Sequence, residues 1–129
     1  MKRNFRQMML IINIAKECHS ANDDLMIVNN EVPNLTDWHQ MDDHTRSMNI
    51  KSVSKIIDNK YITAKDLHNE WMDNKIADGW KYGTVKNPEL KTHPLIIEFE
   101  KMSDINKLKD QNFIDIVNKH RNEYEELSK

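Results

Sequence analysis

The residue types that could do chemistry gather between positions 68 and 93 of this chain. They are His68, Trp71, Lys75, Trp80, Tyr82, Lys91 and His93. His68, Trp71 and Lys75 stand at i, i+3 and i+7, so a helix would carry them on one face. Trp80 and Tyr82 alternate across an extended turn bounded by Gly79 and Gly83. Aromatic faces beside ammonium groups make a platform for a flat, anionic ligand such as a nucleotide. On that reading Trp71 and Trp80 stack on the base, and Lys75 and Lys91 meet phosphates. Tyr82, His93 and His68 line the same site, and Arg46 and Asn49 close the cleft from an earlier part of the chain. The plainer reading makes the two tryptophans core anchors and His68 and His19 buried hydrogen-bonding residues that hold two halves together. A loop that presents Trp and Tyr beside Gly is nevertheless a surface segment, where function concentrates.

Other chemistries fit less well. Cys18 and His19 are neighbours in sequence and point apart on a helix, so they do not form a nucleophile–base pair. Asp42-Asp43-His44 reads as a helix start and a solvated face rather than a metal site, with His39 and His44 at the surface. With only two glycines there is no phosphate cradle of the P-loop or G-x-G-x-x-G kind. Phosphate would have to be held by side chains such as Lys75, Lys91 or Arg46. The expectation is therefore a binding module without catalysis, cofactor or metal. A protein-interaction module using the same exposed aromatic loop is the alternative.

The elements that must position these residues follow from a repeated pattern. Ile14-Ala15-Lys16-Glu17-Cys18-His19 matches Thr63-Ala64-Lys65-Asp66-Leu67-His68, and both read as helix starts. Trp38, Met41, Asp43, Arg46, Asn49, Val53 and Ile56 then match, without a gap, Phe99, Met102, Asp104, Lys107, Asp110, Ile114 and Val117. The extra length of the second copy falls around Gly79 to His93. A duplicated unit buries equivalent apolar positions against its partner copy. One domain over 1–129 is expected, with a first copy at about 12–58, a second at about 61–122 and a cleft near the pseudo-two-fold axis.

A first helix is expected from about Asn4 to Cys18, with Phe5, Met8, Met9, Ile12 and Ala15 at helical spacing. A polar break at Ser20 to Asp24, a short extended piece at Leu25 to Val28 and a loop at Pro33 come next. Leu35 to Trp38 leads to a helix capped by Asp42 or Asp43 and running to about Asp58. Thr63 and Asp66 form a capping box for a third helix. Leu67, Trp71 and Ile76 are its buried stripe and Gly79 its stop. Leu95 to Phe99 reads as a short strand, and Ser103 caps a last helix, broken or continuous, to about Glu126. The fold class is mainly α with short β pieces, a pseudo-two-fold duplicated helical module.

Composition sets the class. A chain of 129 residues with 31% charged residues and a net charge of -2 has enough length for an ordinary core. It lacks the basic face of a nucleic-acid binder. The apolar run Met8 to Ile14 is too short to span a bilayer and no signal-peptide cleavage site follows it, so no membrane partner is expected. A single cysteine points to a reducing compartment, the cytoplasm. Fifteen Lys against four Arg fit an AT-rich coding genome, phage or bacterial.

The motifs also carry a resemblance. His68-x-x-Trp71, Gly79-Trp80-x-Tyr82-Gly83, Lys91-x-His93-Pro94-x-Ile96 and the downstream Met102 to Asp110 resemble the ryanodine-receptor repeat (RyR) domain. Ile14-Ala15 with His19, and Trp38 with Met41, Asp43, Arg46 and Asn49, resemble the longer bacterial form. The likeness spans about residues 12–122. Leu67 and Gln111 depart from the pattern where an acidic residue and an arginine are usual. The resemblance implies a helical, pseudo-two-fold module, paired in the ryanodine receptor and found in prokaryotes alone or beside signalling, transport and defence modules. It also implies sensing of a nucleotide or nucleotide-derived signal, with no catalysis. A chain of this form would act as a sensor or sponge in the cytoplasm (the host's, if phage-encoded), with a homodimer as the form to look for.

Overall fold

The computed structural model describes residues 2–31 and 37–129. The expected loop at Pro33 and the approach from Leu35 therefore lie outside the described residues. The first helix, α1, spans Phe5–Val28. Asn4 caps it, with Gln7 completing a reciprocal capping box. It runs straight through the expected break at Ser20–Asp24 and the expected extended piece at Leu25–Val28. That stretch is polar but contains no Gly or Pro to interrupt a helix, and Ala21 continues the side packed on the core. The helix ends on Asn30, which adopts φ +57. Asn30 N–H donates to the Ile27 carbonyl and Glu31 N–H to the Met26 carbonyl, the paired bonds of a Schellman stop.

The buried face of α1 is Leu10, Ile11, Ile14, Ala15 and Cys18. Phe5, Met8 and Met9, expected on the apolar face, are instead exposed. The run from Met8 to Ile14 is apolar almost all round, so its periodicity does not choose a side. The core takes the side that Ala15 and Cys18 prolong.

Helix α2 spans Asp43–Asp58 and α3 spans Ala64–Ala77. Asp42 caps α2 by accepting from Thr45 N–H, and Thr63 with Asp66 forms the expected capping box on α3. Ser103 caps α4, Asp104–Lys119, and a break at His120 leads into α5, Arg121–Glu126. Short 3₁₀ turns, Trp38–Gln40 and Phe99–Lys101, precede α2 and α4. Strands β1, Lys81–Tyr82, and β2, Thr92–His93, pair in parallel, with Lys81 opposite Thr92 and Tyr82 opposite His93. The extended piece expected at Leu95–Phe99 thus falls earlier: Pro94 has no N–H to offer a ladder, and pairing stops before it. Ile76, expected in the buried stripe of α3, is exposed. The class is nonetheless the one expected, mainly helical with short β pieces.

The core lies where α1, α2 and α4 meet, with α3 packed on α4. Ile14, Val53, Ile56 and Val117 are its most enclosed side chains. Met41, Met102 and Ile114 are buried as well. The α4–α5 corner ties the layers together. Arg121 donates to the Ile56 and Ile57 carbonyls at 2.8 and 2.9 Å, closing the last turn of α2. Glu17 on α1 pairs with Lys119 and with His120; the Lys119 bond foremost holds its carboxyl below the usual carboxylate range. Among the described residues no helix is long and apolar enough to cross a membrane.

Candidate functional site

The site begins where α3 ends. Gly79 takes φ +89, a conformation that favours glycine. Its N–H donates to the Ile76 carbonyl, and Trp80 N–H reaches back to the Lys75 carbonyl at 2.9 Å. This Schellman stop brings the residue after the turn against the last helical turn. Here the two are Trp80 and Lys75, and the ammonium lies 4.3 Å from the indole centroid, a cation–π contact.

Lys91 secures the turn from the other side. Its ammonium donates to the Asp78 carbonyl at 2.7 Å, placing positive charge at the negative end of α3. Lys91 itself adopts φ +52. Beyond it, β2 comes so close to β1 that a Cβ on Gly83 would lie 2.5 Å from the Thr92 Cβ. Only glycine fits there without displacing the strand. The connection is far shorter than a usual parallel crossover. It is held by paired backbone bonds between Asn87 and Thr92, and by the Thr92 hydroxyl donating to the Val85 carbonyl at 2.9 Å.

His93 stands at the centre of the cluster. Its ring meets Trp71 edge-on at 4.9 Å and Trp80 at 6.3 Å. Nδ1 accepts the Leu95 N–H at 3.1 Å, which assigns the proton of the neutral ring to Nε2. Burial first, then Lys86, Lys75 and Lys109, push its pKa down to about 4. Lys75 is also lowered, by burial and then Lys86, with Asp78 opposing. A neutral imidazole donor therefore sits in a positive field beside a half-buried ammonium and an indole.

His68 has the bland role. It is only 3% exposed, and Nε2 donates to the Ile97 carbonyl at 2.7 Å. Its ring stacks on Trp71 at 5.7 Å. It pins the chain that leads into the second 3₁₀ turn against α3.

The structure therefore brings together His68, Trp71, Lys75, Trp80 and His93. Tyr82 is exposed on β1, and Lys91 is engaged in capping α3. Arg46 donates to the Trp38 and His39 carbonyls and pairs with Asp43. Asn49 is half-buried further along α2. Among the described residues no hydrogen bond joins Arg46 or Asn49 to the aromatic cluster. Three further residues belong to the site's surroundings. Lys86 and Lys109 act on His93, and Asp110 on α4 has its carboxyl pushed up to about 6 by burial, against the pull of His68 and Lys109. Lys86 has a sequence signal: residues 75–93 carry four lysines against two carboxylates in a chain of net negative charge. Asp110 has one as well, through its match to Asn49.

Two open clefts lie elsewhere. One, of about 350 Å³, is lined by Arg3, Gln7, Asp58 and Tyr124. The other, of about 520 Å³, lies between α2 and α3 beside Lys55, Ile62 and Glu70. The aromatic cluster lines neither. Cys18 is buried, which pushes its thiol up to about 12 and leaves little thiolate near neutral pH.

Residues 58–119, from the last residue of α2 to the last of α4, match the family model of the RyR domain. The chain carries an RyR domain. The matched segment contains the whole aromatic cluster, its loop and Asp110. Much of the motif pattern in this RyR domain is explained by scaffolding: Gly79 stops the helix, Gly83 admits β2, Lys91 caps α3 and His68 holds the following segment. The groups left for chemistry at its surface are Lys75, Trp80, His93 and Lys86.

Proposed function

We propose that the RyR domain binds a flat, anionic ligand of nucleotide type on the Lys75–Trp80–His93 cluster, without catalysis, as a sensor or a sequestering module of the cytoplasm. The observation that carries this reading is the Lys75 ammonium held over the Trp80 ring in a field that Asp78 only partly offsets. An anion there would relieve the crowding of Lys75 and Lys86 and accept from His93 Nε2–H. The indole offers a stacking surface for a base. The expectation attached to the family points the same way.

The test is calorimetric titration of mono-, di- and cyclic nucleotides, with melting temperatures measured alongside. Trp80→Ala is expected to weaken binding by about 1–3 kcal/mol, the usual worth of one stacked base, while the chain stays folded. Wild-type chain that binds no nucleotide, or a folded Trp80→Ala chain that binds as well as wild type, sinks the reading.

One set of observations favours a protein partner instead. Tyr82, Val85 and Leu90 stand exposed on the same loop, and neither open cleft reaches the cluster. On that reading Leu90→Ser would disturb partner binding and leave nucleotide titrations blank.

We also infer that the chain is a duplication. The segment Ala15–Val28 and the helix Ala64–Ala77 are of equal length and end in the same kind of stop, on Asn30 and on Gly79. In each half a 3₁₀ turn, a methionine, a capping side chain and a helix of 16 residues follow. Met41 and Met102 share nearly the same backbone angles, φ -66 ψ 151 and φ -72 ψ 152.

A further inference from the structure

Gln7 and His68 are the buried polar side chains among the described residues. His68 spends its Nε2 on the Ile97 carbonyl. Gln7 is 7% exposed, and its Oε1 accepts the Asn4 N–H at 3.0 Å. Its side-chain amide nitrogen has no hydrogen-bond partner among the described residues. A donor enclosed without a partner is costly and calls for an explanation. Arg3 repeats the pattern. Its Nη2 donates to Asp58 at 2.7 Å and to the Ser54 carbonyl at 3.4 Å, while Nε is enclosed and unpartnered. Both side chains line the open cleft of about 350 Å³, a volume in the range of small-ligand sites. The cleft lies between the start of α1, the end of α2 and α5. Ile57 and Tyr124 form its apolar wall, and Asp58 and Glu125 are its carboxylates. Of the residues that line it, Asp58 alone falls within the RyR match at 58–119.

We propose that this cleft binds a small organic molecule carrying one carboxylate. Its enclosed unpaired groups are donors, so the group that completes it is an acceptor. A carboxylate offers two oxygens in one plane, one for the Gln7 amide and one for the Arg3 guanidinium. A bond to an ionised acceptor is also stronger than one to a neutral carbonyl. Asp58 does not meet this need, because Arg3 Nη2 already engages it. Asp58 and Glu125 instead limit the charge that the cleft admits. Lys2 and Arg3 balance them, two cations against two carboxylates. One further negative charge is tolerated there, while a dianion such as phosphate meets more repulsion. Ile57 and Tyr124 give the apolar body of the ligand a surface to pack on. This site shares no residue with the Lys75–Trp80–His93 cluster and stands or fails apart from the nucleotide reading.

Heteronuclear NMR on the full chain tests this, because the Gln7 side-chain amide and the Arg3 Nε–H give signals of their own. The probes are benzoate, its uncharged analogue benzamide, and inorganic phosphate. Benzoate is expected to shift the Gln7 amide signals and to saturate. Benzamide and phosphate are expected to bind about tenfold more weakly or less well still. Gln7→Glu keeps the acceptor that the capping box uses and puts an oxygen where the amide nitrogen was. It is expected to weaken benzoate binding by about tenfold or more with no loss of melting temperature. Arg3→Lys keeps a cation beside Asp58 but loses the planar fork, and is expected to weaken benzoate by about threefold or more. Circular dichroism on each variant checks that the helices are intact. Wild-type chain with no saturable shift at millimolar benzoate overturns the proposal. So does benzamide or phosphate binding as tightly as benzoate, or a folded variant at either residue that binds benzoate as well as wild type.

Discussion

The two halves of the molecule use the same devices to opposite chemical ends. In each, a helix ends on a residue in the left-handed conformation, and a 3₁₀ turn then leads into a capped helix of 16 residues. After α3 the turn brings Lys75 and Trp80 together. After α1 the corresponding positions are Met26 and Glu31, and Glu31 accepts from Lys109 on α4 at 2.6 Å. One half presents a basic aromatic surface, while the other spends its turn on an ion pair within the fold. A helix stop of this kind fixes which two residues meet and leaves their chemistry open. Equivalent geometry in the two halves therefore does not require equivalent function.

That comparison is open to test, starting with the largest effect. Ile56→Ala in α2 and Ile114→Ala in α4 should each cost about 2–5 kcal/mol in denaturant melts, since both are buried in the shared core. A loss well below 1 kcal/mol in one alone would break the equivalence of the halves. Gly83→Ala comes next, at about 1–3 kcal/mol, because the added Cβ collides with Thr92. If its melting temperature matched wild type, β1 and β2 would not pack as described.

Asp110→Asn gives the second half the residue that the first has at Asn49. The folded-state pKa of Asp110 is raised to about 6 from 3.8. Its contribution is therefore complete below 3.8 and is lost as pH rises through 6. Replacing it should stabilise the chain at pH 7 by about 1–2 kcal/mol and leave stability near pH 3 almost unchanged. Destabilisation at pH 7 would mean that the ionised carboxylate has a favourable partner. The smallest effect is expected from Asn30→Gly, which gives the first stop the residue of the second. It should stabilise by a few tenths of a kcal/mol, up to about 1. A destabilised variant would show that the Asn30 side chain contributes more than its backbone strain costs.

Local signals were the legible ones. Thr63 with Asp66, Gly79 and the capping of α2 and α4 were readable because a cap or stop depends on a few adjacent residues. The apolar positions shared by the halves, Val53 and Ile56 with Ile114 and Val117, were readable from pattern alone, and all are buried. The aromatic cluster was readable as a group of residues, and Lys75, Trp80 and His93 do converge. The face and length of α1 were not readable, since an almost wholly apolar run has no side of its own and its polar continuation contains no breaker. Lys91 read as a phosphate ligand because the sequence does not show that the end of α3 lies within its reach. Lys86 and Asp110 have only indirect signals in the sequence for a related reason: what matters about them is the field and burial around other groups.

The contacts that shape the aromatic loop join residues close in sequence: Lys91 with Asp78, Thr92 with Val85, Gly83 beside Thr92. Those that close the core join distant ones, Glu17 with Lys119 and His120. Pairings of short span form at little entropic cost, and those of long span form slowly. The loop can therefore open and close again while α1, α2 and α4 stay packed, as a small cooperative unit of its own. In hydrogen exchange, amides such as Gly83 and Thr92 would trade with solvent through that local opening. Those in the middle of α1 and α4 would wait for the whole chain to unfold.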